Sequence, residues 1–504
     1  MTIINNTRIY VLIFYFFYTS IFILLHTNNF FLNYIHTNIY TISLLFYAMF
    51  ILFLFCIANI HRKFDNIVTI LFLFSLIFKS LYVFSAPYNI TIHDVGKFAG
   101  FSSNEISWGH FGYIEYISKH FHLPDFDPRK YWSFTNPPLF HIVCAVFLYI
   151  LKSMHINEDL CYECLQLIPL LFTHFAIIYS YKIICCFVTE KCIQILFLII
   201  VITHPFFFIL SVTLNNDCYV MFFSSCIVFY TLKWLRKTNY KNILLLALSF
   251  GLGMLSKINI AVFSIGIGVC FFVLLFKKFN KRYDIIKQFF CFLIIAFPLS
   301  MYFPVKNYIL FNINFNYVQQ VPMPSDQYIS GINIFHRIAS TNINEILYPF
   351  ITWNPTIDTN IWINLIKTSL FDIYSSVLLR NQFLSSVTFL LYFVCIFLVI
   401  YNIFHLTINL LNNKTMQDIK NVFIFLFFFS CIGFYLYFCI KEQFICTMNF
   451  RYIPISFVFM LIFSGQYMQN KAKKFNFFDF MFLSFTYLFS VLSIVIDFSL
   501  ICCS

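Results

Sequence analysis

The stretch Ile193-QILFLIIVITHPFFFILSVTLNN-Asp217 contains no Asp, Glu, Lys or Arg until its last residue. Its apolar part, 193–213, is long enough to cross the roughly 30 Å hydrocarbon layer of a bilayer as a helix. It ends on two asparagines and a carboxylate. An apolar run that long, closed by a small polar motif, reads as a membrane span with functional groups at its mouth.

The same pattern repeats on both sides. Apolar runs occur at 9–25, 38–60, 66–84, 138–153, 164–187, 193–213, 218–233, 242–255, 258–276, 288–304, 383–404, 421–440, 453–469 and 476–498. The 504 residues are 61% hydrophobic and 10% charged, with a mean hydropathy of +0.82. A soluble domain is about 45–50% apolar and about 25% charged, so this excess does not fit one soluble core. The expected fold class is an all-α polytopic membrane protein.

The net charge of +12 does not indicate nucleic acid. The basic residues gather in short clusters between apolar runs: His61-Arg62-Lys63, Lys233 to Lys241, Lys277 to Arg282 and Lys471 to Lys474. That is the positive-inside pattern, and it places those connections on the cytoplasmic side. Arg8 precedes the 9–25 run without a small-residue cleavage site after it, so this run is expected to be an uncleaved first span. Counting sides then gives about 13 crossings, provided that one run between the two outer connections does not cross. The 138–153 run is the shortest of the three candidates and starts at Pro137-Pro138, so it is expected to be partial or interfacial.

Of the 17 cysteines, many lie in apolar runs, where cysteine behaves as a small hydrophobe. Cys161-Tyr-Glu-Cys164 has no second pair at zinc spacing, and no metal site is expected there.

Two polar segments fall on the predicted outer face, about 86–136 and 305–375. The first holds His93-Asp94, Glu105, His110, Tyr113, Glu115, His120, His122, Asp125 and Asp127. It closes on Trp132-Ser-Phe-Thr-Asn136-Pro137-Pro138. Asn216-Asp217, Lys257 and Arg451 are expected on that same face. A carboxylate can take a proton from an acceptor hydroxyl. Cations can hold phosphate oxygens and the charge that grows on a leaving phosphate. The plainer roles are an N-cap for Asp217, interfacial snorkelling for Lys257 and an outer-face anchor for Arg451.

The order of these parts resembles the GT-C class of membrane glycosyltransferases. More narrowly, it resembles the group of protein O-mannosyltransferases, the lipid A aminoarabinose transferase and the bacterial Rgt-type lipopolysaccharide sugar transferases. Six stretches carry the likeness: His93-Asp94, the Pro137-Pro138 return, Leu214-Asn215-Asn216-Asp217, Gly251-Leu-Gly253-Met-Leu-Ser256-Lys257, Val305-Lys306-Asn307-Tyr308 and the later Arg451-Tyr452-Ile-Pro454. The likeness spans roughly 66–460. It departs from the family in having two extra spans before the acidic loop, and His-Asp where many members have Asp-Glu.

The resemblance implies a GT-C-like bundle with a catalytic membrane domain over 66–470. Residues 1–65 would be added N-terminal helices, and 471–504 a last helix. It implies an inverting sugar transfer from a polyprenyl-phosphate donor to a glycan, lipid or protein acceptor at the bilayer's outer face. Asp94 would be the base. Asp217 would orient the acceptor, the donor sugar or Asp94. Lys257 and Arg451 would hold the lipid phosphate, while His93, His110, Tyr113, Glu115 and Asn216 would line the substrate. The resemblance fixes no cofactor, and a divalent cation is compatible with it. The bacterial plasma membrane is the expected location. A transporter or flippase of a lipid-linked sugar is the alternative; it would place its polar groups at the bilayer midplane, often within internal repeats.

Overall fold

The computed structural model describes residues 64–88, 109–319, 321, 323, 325–329, 331–339, 343–372, 382–412, 419–471 and 477–503. The expected spans 9–25 and 38–60, and the residues His93 and Asp94, lie outside them. The described chain is built from helices, with one isolated β-bridge between Tyr328 and Phe444.

The longer helices in chain order are α1 (Phe64–Ser85), α2 (Gly109–His120), α3 (Leu139–Ser153), α4 (Leu167–Phe187), α5 (Lys191–Thr203), α6 (Asp217–Arg236), α7 (Tyr240–Met254), α8 (Phe263–Lys277), α9 (Arg282–Phe311), α10 (Ile361–Leu370), α11 (Gln382–Asn412), α12 (Ile419–Lys441), α13 (Ile455–Lys471) and α14 (Phe477–Cys503). Among the described residues, eight helical segments are long and apolar enough to cross a membrane. They contain α1, α4, α6, α8, α9, α11, α12 and α14. The protein is a polytopic helical membrane protein.

The remaining expected crossings are the shorter apolar helices α5, α7 and α13. The stretch 193–213 is not one helix: α5 stops at Thr203, and a second helix runs Pro205–Leu210. Proline has no N–H to continue the ladder and pushes the residue before it out of helical backbone. His204 is accordingly extended, and its Nδ1 accepts the Phe206 N–H at 3.2 Å to start the new helix. By contrast, α9 runs through Pro298 and Pro304 to Phe311. The span expected to end near residue 304 is therefore longer, and the second polar segment begins at Asn312. Asn312 adopts a left-handed φ of 52° that ends the helix.

Helix α3 lies across one end of the bundle. At its start the Leu139 N–H donates to Leu255 O at 2.9 Å. At its finish Lys152 reaches Glu158 at 2.7 Å. The neighbouring Glu163 accepts the N–H of Tyr88, just beyond α1, at 3.1 Å. Both ends of α3 are thus held at the same end of the bundle, which carries the starts of α4 and α6 and the ends of α1 and α7.

The centre is α6, packed between α4 and α7. Of its span, 83% is buried, against 28% of the span containing α9. The α9 face carrying Phe290, Ile294, Phe297 and Ile309 is exposed, as a lipid-facing helix would be. Close packing at the centre needs the glycines of the Gly251-Leu-Gly253 stretch. A Cβ on Gly251 would meet Leu299 at 2.8 Å, and one on Gly253 would meet Phe223 at 3.0 Å. Helix α6 is also electrically matched to its direction, with Asp217 in its first turn and Lys233 and Arg236 in its last. Lys233, Arg236, Lys277 and Lys281 therefore gather at one end of the bundle, and Asp217 and Leu255 at the other. Lys79 is fully buried in α1. It donates to Ser75 Oγ at 3.0 Å and Ile202 O at 2.8 Å, and Asp497 of α14 faces it.

Candidate active site

Asp217 is the first helical residue of α6. The turn before it is shaped by Asn215, whose Oδ1 accepts the Asp217 N–H at 2.9 Å. Asn216 occupies the N-cap backbone position, but its amide points away from the helix and donates to Ser256 O at 2.8 Å. The Asp217 carboxylate is thereby left for another partner, and it takes the Lys257 ammonium at 2.5 Å. Asp217 is buried and Lys257 half-buried. Of the two readings of Asp217, cap or site residue, the geometry gives its carboxylate to the cation.

Lys257 follows the end of α7, where the Lys257 N–H still donates to Gly253 O at 2.9 Å. Its ammonium also lies 5.2 Å from the centroid of the Tyr452 ring, and the Arg451 guanidinium lies 5.5 Å from the same ring. One aromatic ring therefore carries two cations, an arrangement favoured by the ring quadrupole. The Arg451-Tyr452 turn is held from the α7 side by Asn259, whose Nδ2 donates to Tyr452 O at 3.1 Å. Burial pushes the Tyr452 phenol up to about 12, so its hydroxyl stays protonated at neutral pH.

The first polar segment brings His110 and Tyr113 near this end of the bundle. His110 Nδ1 lies 2.9 Å from His141 Nε2, and the two rings are stacked. The Tyr113 ring packs on His141 and Phe134. His141 sits in the first turn of α3, next to Phe140, which contacts the Tyr219 ring of α6 edge-on. Burial and the neighbouring His110 hold His141 well below the usual histidine range. The Tyr113 hydroxyl is buried without a hydrogen-bond partner among the described residues.

Glu115 goes elsewhere. It accepts the Tyr162 hydroxyl at 2.9 Å in a patch with Glu158 and Lys152. Lys152 is thirteen residues along α3 from Leu139, about 20 Å at helical rise. The structure does not bring Glu115 to the Asp217–Lys257 pair.

A small open crevice is lined by Ile258, the residue after Lys257. Ile258, Phe303 and Phe315 give it apolar walls, with Thr135, Asn307 and Asn314 as polar edges. The return of the first segment is fastened to the end of α9 there. Lys306 donates to Pro124 O at 2.8 Å, and Thr135 donates to Gln319 at 2.8 Å.

No group of three or more His, Cys, Asp or Glu side chains able to hold a metal occurs among the described residues. His122, Asp125 and Asp127 have local partners, and the His120 ring packs on Tyr116. Asp125 accepts from Tyr116, His122 bonds to Leu123 O, and Asp127 takes Arg129 at 2.6 Å. That pairing holds the Asp127 carboxyl below its usual range.

His141, Asn215 and Asn259 were not legible as site residues. His141 sits inside an apolar run with no local signal. Asn215 lies within the Leu214–Asp217 motif and acts locally on the Asp217 N–H, while Asn259 lies just past Lys257 and acts through a tertiary contact to Tyr452.

The described residues thus form a helical membrane bundle with a buried acid–lysine pair and a second cation at one end. Residues 136–306 match the family model described as dolichyl-phosphate-mannose-protein mannosyltransferase. That stretch includes Asn216, Asp217 and Lys257, and it ends before Arg451. The match supports a membrane glycosyltransferase of the GT-C type, as the ordered motifs implied. Comparison with curated proteins finds no match.

Proposed function

We propose that this protein transfers a sugar from a polyprenyl phosphate to an acceptor hydroxyl at the outer face of the membrane, with inversion. The observation that carries the proposal is the placement of Lys257 and Arg451 against the same Tyr452 ring, with Asp217 bound to Lys257. The basic clusters at the other end of the bundle support an outer location for this site.

In the proposed reaction Asp94 takes the acceptor proton as the acceptor oxygen attacks the anomeric carbon. The bond from that carbon to the phosphate oxygen breaks, and its electron pair leaves with the polyprenyl phosphate. The leaving group gains negative charge, and Lys257 and Arg451 are placed to stabilise it. Asp217 keeps Lys257 charged and oriented in a largely dry setting. Its own carboxylate pairs with that cation, and Asp94 takes the base role in this reading. Asn216, His93, His110 and Tyr113 would border the sugar and acceptor. Glu115, on its separate patch, would act only on a large acceptor.

By the likeness to bacterial sugar transferases, we place the protein in a bacterial plasma membrane. The test is transfer or slow hydrolysis of radiolabelled polyprenyl-phosphate sugars by the purified protein in lipid. Turnover by the wild type, with binding but no turnover by Asp94→Asn, supports the proposal. Equal binding or movement of the lipid by both proteins, with no cleavage, replaces it with a lipid-sugar transporter.

A further inference from the structure

The turn bearing Arg451 is fastened on one side by the end of α10. The Phe450 N–H donates to Thr368 Oγ1 at 2.9 Å. One turn further along, Asp372 accepts from Asn449 Nδ2 at 2.8 Å. Asn449 in turn uses its Oδ1 to accept the Arg451 N–H at 2.9 Å. Asp372 and Asn449 are both buried. Asp372 also sits at a left-handed φ of 46°, just past α10, a backbone state that costs energy for a non-glycine residue and persists where its surroundings enforce it.

An asparagine amide can present either its oxygen or its nitrogen to a neighbour. An ionised carboxylate can only accept. Asp372 therefore forces the Asn449 nitrogen toward itself and the oxygen toward the Arg451 N–H. Helix α10 is itself rigidly anchored. Asn360 caps it through the Trp362 and Ile363 N–H groups, Lys367 pairs with Asp358 in a fully buried contact at 3.3 Å, and Tyr435 donates to Ile361 O at 3.0 Å. The anchoring runs from α10 through Asp372 and Asn449 to the turn that aims Arg451.

We infer that Asp372 is a positioning residue that sets the Arg451 turn for the phosphate of the lipid donor, working through the Asn449 amide. The phosphate part of this inference rests on the function proposed above. Asp372 does not touch substrate in it.

The test compares Asp372→Ala, Asn449→Asp and the exchange Asp372→Asn/Asn449→Asp in lipid. The exchange restores the relay, because an asparagine at 372 can donate to an aspartate at 449, whose other oxygen accepts the Arg451 N–H. The single Asn449→Asp change sets two carboxylates against each other. Two readouts are taken: steady-state kinetics with dolichyl-phosphate mannose as the probe donor, and hydrogen exchange of the peptide containing Arg451.

The expected result is a KM for the donor raised about tenfold in both single variants, with kcat within about threefold, and wild-type behaviour within about threefold in the exchange. Exchange at the Arg451 peptide should be faster in the single variants and slow again in the double. Wild-type KM in both single variants, or an exchange variant no better than Asn449→Asp, overturns the inference. Should the wild type turn over no donor, hydrogen exchange still decides. Rescue by the double variant keeps the positioning of the turn while the transferase proposal falls, and no rescue removes both. If Asp372→Ala does not fold, Asn449→Asp and its rescue carry the comparison alone.

Discussion

Asp217 and Lys257 meet at 2.5 Å although forty residues separate them. Asp217 opens α6 and Lys257 closes the turn after α7, so the contact exists because the two helices are antiparallel neighbours. Breaking one member of a buried pair strands the other charge in a poorly solvated place. Lys257→Met should therefore lower stability by about 3 kcal/mol. Asp217→Asn/Lys257→Met should recover most of that loss without recovering donor turnover. Thermal unfolding in detergent, run beside the turnover assay, reads both. Equal stability of the single and double variants would show that the pair does not carry stability.

Asp94 lies outside the described residues, so its role is tested by chemistry alone. With Asp94→Asn, transfer should fall by about 10²- to 10⁴-fold, the usual contribution of a positioned general base. Donor binding should stay close to wild type. A variant retaining more than a tenth of wild-type turnover would remove Asp94 as the base.

Glu345 supplies a pH-dependent prediction. It is buried in the second polar segment, with Oε1 accepting the Asn360 N–H at 3.1 Å. Burial raises its carboxyl to about 7 from the ordinary 4.5. The folded chain then binds a proton that the unfolded chain has released, so stability falls as pH rises between those two values. The contribution is complete below about 4.5 and gone above about 7. Glu345→Gln should raise the unfolding temperature at pH 8 and leave it nearly unchanged at pH 4.5. A gain of the same size at both pH values would contradict the assignment.

Gly251 tests whether the glycine motif serves packing. A Cβ at this position would lie 2.8 Å from Leu299. Gly251→Val should therefore cost about 2 kcal/mol by overpacking, and it should loosen the α7–α9 contact that carries Lys257. Pairing it with Leu299→Ala should return part of the stability. The absence of any recovery would place the strain elsewhere.

Much of this fold was legible in the linear chain. Long apolar runs must become helices in a bilayer, because each backbone polar group needs an internal partner there. The basic clusters set a direction for those helices. Proline was legible only in part: His204-Pro205 breaks a helix, while Pro298 and Pro304 lie within α9. Sequence alone does not separate the two outcomes, since they depend on what neighbouring groups can repair.

By itself the sequence determined the class, the approximate spans, and the gathering of Asn216-Asp217, Lys257 and Arg451 at one end, since each follows from local composition and the parity of crossings. Tertiary structure alone decided the partners. It gave Asp217 to Lys257, set two cations against Tyr452, joined His110 to His141, sent Glu115 to Tyr162, and tied Asp372 to the Arg451 turn through Asn449. Hydrogen bonds and ion pairs act over about 3 Å, and which groups come that close depends on how whole helices pack.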